Sequence, residues 1–408
     1  MNTWITIPNN SDFTIHNLPY GIFVRDGRPT AGIAIGDQII DLNTAAKCGL
    51  FKDLDFNSTV FESTVLNDFI SCGKSAWSSL RKYITSELTS QSELYENRDK
   101  ILVDRTNAQM CLPIQIGDYT DFYSSIEHAT NLGKLFRPNS EPLLPNWRHI
   151  PVGYHGRASS IVVSGTPIKR PQGQMKPPTA EIPSFGHSKR LDIELEMAYI
   201  IGSPTKLGES ISVENAEDHI FGKVIFNDWS ARDIQGWEYV PLGPFLGKNF
   251  ASTISPWIVT MEALEPFRCE SIEQNPPVLP YLQYEGNKNF DIKLEVGITP
   301  KEDEESIISR SNFKFMYWNM AQQLAHHTVN GCNVNVGDVM ASGTISGRDA
   351  NSYGSLIEIS QGGKEPIQLK NNKTRTFLED GDSISIRAWC QKDDVRVGFG
   401  ECVGTIIP

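Results

Sequence analysis

The stretch Leu191-Asp192-Ile193-Glu194-Leu195-Glu196-Met197-Ala198-Tyr199 alternates apolar and acidic residues as far as Met197. A period of two marks a β-strand with two different faces, so Leu191, Ile193, Leu195 and Met197 point one way. Asp192, Glu194 and Glu196 point the other. Neighbours on one face lie about 6.6 to 6.8 Å apart along a strand, so Glu194 and Glu196 can converge on one point. Two carboxylates that close repel each other unless a cation or a proton separates them. A solvated strand face gives the same pattern, and alternation alone does not choose between the two.

Working outward, Gly21–Pro29, Ala31–Ile35 and Gln38–Leu42 are short apolar runs around Asp26-Gly27 and Gly36-Asp37 turn signals. They predict three successive strands in a small antiparallel barrel or meander. Val65, Phe69, Ile70, Trp77, Leu80, Tyr83 and Ile84 recur at helical spacing. Ile101-Leu102-Val103 opens the next piece, and a domain boundary is placed near Gly117, giving units 1–117 and 118–408. Phe122 to Leu132 reads as a helix stopped by Gly133, residues 167–183 as loop, and Lys223–Phe226 as strand. A helix is expected from Lys314 to Val329 and a strand over Ser383–Trp389. The class is therefore mainly β (α+β), and strands do not alternate with helices as in a doubly wound sheet. No Gly-x-Gly-x-x-Gly follows a strand and no phosphate-binding Gly-x-x-x-x-Gly-Lys-Ser/Thr occurs, so nucleotide chemistry has no support.

The chain of 408 residues has a formal charge of -12, from 49 acidic against 37 basic residues. That balance argues against nucleic acid or an anionic membrane surface as partner, since both need a basic footprint. The start lacks the basic and apolar regions of a signal peptide, and no apolar run approaches the ~18 residues of a membrane span. Seven scattered cysteines without a Cys-x-x-Cys pair fit reduced thiols, and the expected compartment is the cytosol. Further acidic residues, Asp121 and Asp228, stand in turn-rich aromatic segments. Carboxylates without Cys or a His pair imply a hard cation with oxygen ligands: calcium, magnesium or manganese.

Longer segments carry a resemblance. Asp118-Tyr119-Thr120-Asp121-Phe122-Tyr123-Ser124-Ser125 with His128-Ala129-Thr130-Asn131 resembles the opening catalytic segment of the fumarylacetoacetate hydrolase family. Pro151–Ser160, the Asp192-x-Glu194-x-Glu196 strand, Asn227–Gln235, Gly243–Lys248 and Ala341–Gly347 resemble the same family in the same order along the whole chain. The resemblance implies a small N-terminal SH3-like β-barrel followed by a larger β-sandwich or roll catalytic domain, in a homodimer. It implies hydrolysis of a carbon–carbon bond in a 1,3-diketone acid, giving fumarate and acetoacetate at the end of tyrosine and phenylalanine breakdown. Asp121, Glu194, Glu196 and Asp228 would bind calcium or magnesium. His128 would be the base that activates water, with Glu358 orienting it. Arg232, Gln235 and Lys248 would stabilise the oxyanion. Tyr123, Arg137, Tyr154, Gln235, Tyr239 and Thr344 would bind substrate, and Arg137 suits a terminal carboxylate.

One loop departs from the family, which commonly has Gly and Thr where this chain has Ala251 and Ser252. A second cation beside Asp228, Lys248 and Ser252 is linked with that loop, and Ala251 would be strained there at positive φ. The rival readings are an acylpyruvate hydrolase, an oxaloacetate decarboxylase or a hydratase of the same superfamily, or a catalytically silent metal-stabilised binding protein. Retention of both His128 and Glu358 speaks against the last.

Overall fold

The alternating stretch forms two strands, Leu191–Asp192 and Leu195–Ile201, and every residue from Leu191 to Ile201 is buried. The structure is a computed structural model that describes residues 3–90 and 92–408. Leu195–Ile201 runs near the centre of an eight-stranded mixed sheet. Its order is Gly153–Gly156, Tyr119–Phe122, Val339–Ala341, Leu195–Ile201, Ile220–Asp228, Ser252–Ile254 and Ile161–Val163, with Val259–Thr260 also on Ile220–Asp228. Met197 and Tyr199 pack on one side with Leu294, Val296, Ile386 and Val397 of a five-stranded sheet. Ala198 and Ile200 pack on the other with Ile22, Ile33 and Phe69 of the N-terminal part. Alternation fades after Met197 because both faces are then covered by apolar layers, and a strand buried twice reads as a continuous apolar run.

The N-terminal strands Tyr20–Arg25, Arg28–Ile35 and Gln38–Asp41 form the expected meander, at the centre of a five-stranded sheet. Leu102–Asp104 and Met110–Cys111 are its edges, and among the described residues no ladder joins them to each other. Tyr20 bridges to Ile258, so this sheet leans on the larger one. The expected helix around Val65–Ile84 is two, Asn67–Ile70 and Lys74–Thr89, parted at Gly73 with φ +85°.

Three expectations need correction. Phe122 belongs to a strand; the helix is Ile126–Phe136, capped by Ser125, whose hydroxyl accepts the His128 N–H. It runs through Gly133, which is there because a Cβ would meet the Pro142 carbonyl oxygen at 2.0 Å. Residues 167–183 are not all loop: Ile168–Lys169 joins the end of Val395–Ile407, and Gln172–Met175 pairs with Ser184–His187. Their partners lie outside the Pro/Gly-rich window, which hid the strands. The helix expected over 314–329 is Met320–Thr328, started by a reciprocal Asn319–Gln322 capping box. The strand expected over Ser383–Trp389 is confirmed, as Ser383–Lys392. All seven cysteines are free, and among the described residues no helix is long and apolar enough to cross a membrane.

Candidate active site

The sheet order explains how distant carboxylates meet. Asp121 is the penultimate residue of the strand Tyr119–Phe122, registered with Ala341, which is in turn registered with Ala198. Glu194 precedes and Glu196 lies within Leu195–Ile201; Asp228 closes the next strand, opposite Ser252. One oxygen from each of Asp121, Glu194, Glu196 and Asp228 lies within 4.8 Å of the others, and all four residues are buried. The solvated strand face is thereby excluded. Asp121 Oδ1 and Glu196 Oε1 are buried without a hydrogen-bond partner. Burial and the repulsion of Asp228 and Glu194 push the Asp121 carboxyl well above the usual carboxylate range. Burial, Asp121 and Glu194 do the same to Glu196. Two orphaned acceptors amid four converging carboxylates fit a hard, oxygen-liganded cation. The Gly343 N–H donates to Glu196 Oε2 at 3.0 Å; with φ +78° and a Cβ position 2.1 Å from the Phe122 carbonyl oxygen, that turn admits only glycine.

Glu194 differs from its neighbours. Burial raises its carboxyl, but Lys248, Arg232 and His128 outweigh it and hold the group well below the usual range. Lys248 Nζ donates to Glu194 Oε2 and, at 2.9 Å, to Asp228 Oδ2, while Arg232 Nη2 is 2.8 Å from Glu194 Oε1. The Ser252 hydroxyl donates to Asp228 Oδ1 at 2.8 Å. Ala251, whose strain was in question, is not among the residues of positive φ.

His128 and Glu358 meet as well. Nδ1 of His128 lies 2.7 Å from Glu358 Oε2, and Nε2 points to the carboxylates, 4.0 Å from Glu194 Oε1. Glu358 is fully buried, yet its carboxyl stays below the usual range: burial raises it, and His128, Asn131 and Ser355 more than offset this. Asn131 Nδ2 donates at 2.9 Å, Ser355 Oγ at 2.7 Å, and Ser346 Oγ approaches both oxygens. Sequence reading passed over these three donors. Asn131 had a signal, since it stands three residues after His128 on one helix face; Ser346 and Ser355 had none.

These groups face a cavity of about 350 Å³ whose wall includes Tyr123, Arg137, Tyr154, Gln235, Tyr239 and Thr344. The Tyr154 hydroxyl donates to Asp228 Oδ2 at 2.9 Å, and Gln235 Oε1 accepts from Arg232 Nη1 at 3.1 Å. Arg137 reaches the Pro142 carbonyl at 2.8 Å and keeps an unpartnered Nε; the buried Thr344 hydroxyl is unpartnered too. Asp121, His128, Glu194, Arg232 and Lys248 line this cavity too; Glu196 and Asp228 cluster with Asp121 and Glu194, Glu358 holds His128, and Ser252 holds Asp228, without lining it themselves.

Known proteins share this frame. The family profile "Fumarylacetoacetate (FAA) hydrolase C-terminal" matches residues 119–407, and "Fumarylacetoacetase N-terminal" matches 16–113. The fumarylacetoacetase of Homo sapiens is 50% identical over 413 aligned residues, which cover 100% of this chain and 99% of that one. That of Dictyostelium discoideum is 51% identical over 419, covering 100% and 98%. Among solved structures, a fumarylacetoacetate hydrolase from Exiguobacterium antarcticum superposes with TM-score 0.54 at 18% identity, over 95% of this chain and 99% of its own; that likeness concerns the fold alone.

Proposed function

The chain belongs to the fumarylacetoacetate hydrolase family, and from that premise we propose that it hydrolyses 4-fumarylacetoacetate to fumarate and acetoacetate, the closing step of tyrosine and phenylalanine breakdown. One observation carries the chemistry: a buried His–Glu pair whose free ring nitrogen faces a cluster of four buried carboxylates. Glu358 accepts from Nδ1–H, which leaves His128 Nε2 as an acceptor turned to the cavity. That nitrogen takes a proton from water, and the hydroxide adds to the ketone carbon next to the double bond. Arg232, Lys248 and the Gln235 amide donate to the oxygen that becomes negative. The carbon–carbon bond then breaks, its electron pair leaves as the acetoacetate enolate, and the proton held by His128 balances the charge on that carbon.

Arg137 holds a terminal carboxylate, and Tyr123, Tyr154, Tyr239 and Thr344 orient the rest. These local cations let an acidic protein take a dianion. A calcium or magnesium ion on Asp121, Glu194, Glu196 and Asp228 would supply Lewis-acid polarisation of the diketone oxygens. By the same resemblance the enzyme works as a homodimer; the scattered free thiols support a cytosolic location, and the sequence pattern supports two units divided near residue 117.

The test is loss of the diketone ultraviolet absorbance of fumarylacetoacetate with purified protein, with and without a chelator. Turnover by cation-replete protein and its loss on chelation are expected. A folded, cation-replete protein that leaves this substrate untouched but cleaves an acylpyruvate would overturn the assignment.

A further inference from the structure

Asp192 is the member of the alternating acidic set that the cation site does not use. It is completely buried, and both its oxygens are engaged. Oδ1 accepts the N–H of Ile193 and of Leu356, each at 2.7 Å. Oδ2 accepts Arg232 Nε–H at 2.8 Å and the Ile357 N–H at 3.0 Å. Leu356 and Ile357 open the short helix Leu356–Ile359, which carries Glu358 and lacks a side-chain cap of its own. One carboxylate therefore ties down both halves of the machinery: the guanidinium beside the reacting oxygen, and the turn that aims Glu358 at His128.

On the proposed hydrolase reading, we infer that Asp192 is a positioning residue that sets the geometry of transition-state stabilisation through Arg232 and Glu358. It does not reach the cavity wall itself. The Arg232 fork is apportioned by its partners: Nε to Asp192, Nη1 to Gln235, Nη2 beside Glu194 Oε1. Each terminal nitrogen carries a second N–H, and these are the donors left for an oxyanion. Their aim depends on the plane of the guanidinium, and Asp192 holds that plane from the far side. A guanidinium held only by Gln235 and Glu194 could swing about its own axis, and donors displaced by about an ångström lose much of their effect.

Asp192→Asn keeps the shape but can place only one acceptor, and its amide N–H₂ then opposes either Arg232 Nε–H with Ile357 N–H or the two other N–H groups. The expected result is a fall in kcat of about 10²-fold, the loss typical of one misaimed oxyanion donor, with KM within about threefold. Binding separates aiming from general damage. A phosphinate analogue of the tetrahedral intermediate should lose at least about tenfold in affinity, while acetoacetate, which carries no tetrahedral oxyanion, should bind within about twofold of the parent. Asp192→Glu retains the charge and displaces it by a methylene; it should show the same split between the two ligands, and it serves if Asp192→Asn does not fold. Equal weakening of both ligands would make Asp192 merely structural, and a folded variant with kcat within about threefold of the parent would overturn the inference outright. If the parent chain itself fails to cleave fumarylacetoacetate, the functional reading falls instead, and the two-ligand comparison still tests Asp192.

Discussion

Replacing Glu358 by glutamine removes one negative charge from a site that supplies four donors to it: His128, Asn131, Ser346 and Ser355. The amide can present only one oxygen. In one orientation its N–H₂ faces His128 Nδ1–H, and in the other it faces the Asn131 N–H₂. The contact at stake is 2.7 Å long between groups that are both buried. At an effective dielectric of about 20, unit charges that close attract by about 6 kcal/mol, an attraction that matters only once His128 carries the proton. Part is recovered by the neutral hydrogen bond that replaces it, so about 3 to 5 kcal/mol of transition-state stabilisation is lost. At 1.36 kcal/mol per decade this is about 10²- to 10⁴-fold in kcat. Substrate binding uses other groups, so KM should move by less than about threefold. The assay is initial rate of diketone absorbance loss at saturating substrate, beside a thermal melt and a measurement of bound cation to show that fold and cation site persist. A kcat within threefold of the parent in such a protein would refute the orienting role of Glu358.

Arg137→Ala should raise KM by about 10- to 100-fold, the worth of one charge-assisted contact to a carboxylate, with a smaller effect on kcat; steady-state kinetics at several substrate concentrations decide it. Chelation should lower the melting temperature by several degrees as well as abolish turnover, because four buried carboxylates are then left to repel one another. Glu196→Gln relieves part of that repulsion, so it should melt higher than the parent in chelator yet respond less to added calcium or magnesium. Lys223 is buried with its ammonium 4.2 Å from the centre of the Phe313 ring, and burial brings its pKa down to about 7. The unfolded chain keeps that proton to about pH 10.4, so between about 7 and 10 the unfolded state binds more protons and stability rises with pH. Below pH 7 the burial penalty is fully present, on the order of several kcal/mol. Lys223→Met should therefore raise the melting temperature most near pH 6 and progressively less toward pH 10; a gain that does not shrink with pH would contradict this.

The pair Glu194 and Glu196 was legible because a strand's period of two is written in the sequence. Their burial was not, since a half-exposed strand alternates in the same way. Asp121 and Asp228 gave no such signal. Each stands at or next to the end of a fully buried strand, Tyr119–Phe122 or Ile220–Asp228, where no alternation survives. What brings them together is strand order: Val339–Ala341, more than two hundred residues further on, lies parallel to Tyr119–Phe122 and separates it from Leu195–Ile201. Parallel neighbours are set by long crossovers, and nothing local announces them. The helix boundaries failed for a related reason. Gly133 reads as a stop from composition, but its place is fixed by the Pro142 carbonyl pressed against it, a contact known only once the loop is folded back.

Asp192 marks where the periodic argument itself breaks. The alternation assigns it to the same face as Glu194 and Glu196, and an unbroken strand would put all three into one site. The chain interrupts the strand at Ile193-Glu194, and Leu191–Asp192 forms a separate ladder with Ser230–Ala231. That break turns one carboxylate away from the cluster of four carboxylates and toward Arg232, the residue directly after its ladder partners. The same ladder therefore brings the acid to the base it must hold, and it leaves the cluster with four carboxylates instead of five. A fifth uncompensated negative charge would have deepened the repulsion that already raises Asp121 and Glu196. Spent on Arg232 and on three backbone N–H groups, it is fully satisfied. The interruption of a regular strand, which costs ladder hydrogen bonds, is thus what lets three acidic residues in one alternating run serve two different chemical purposes.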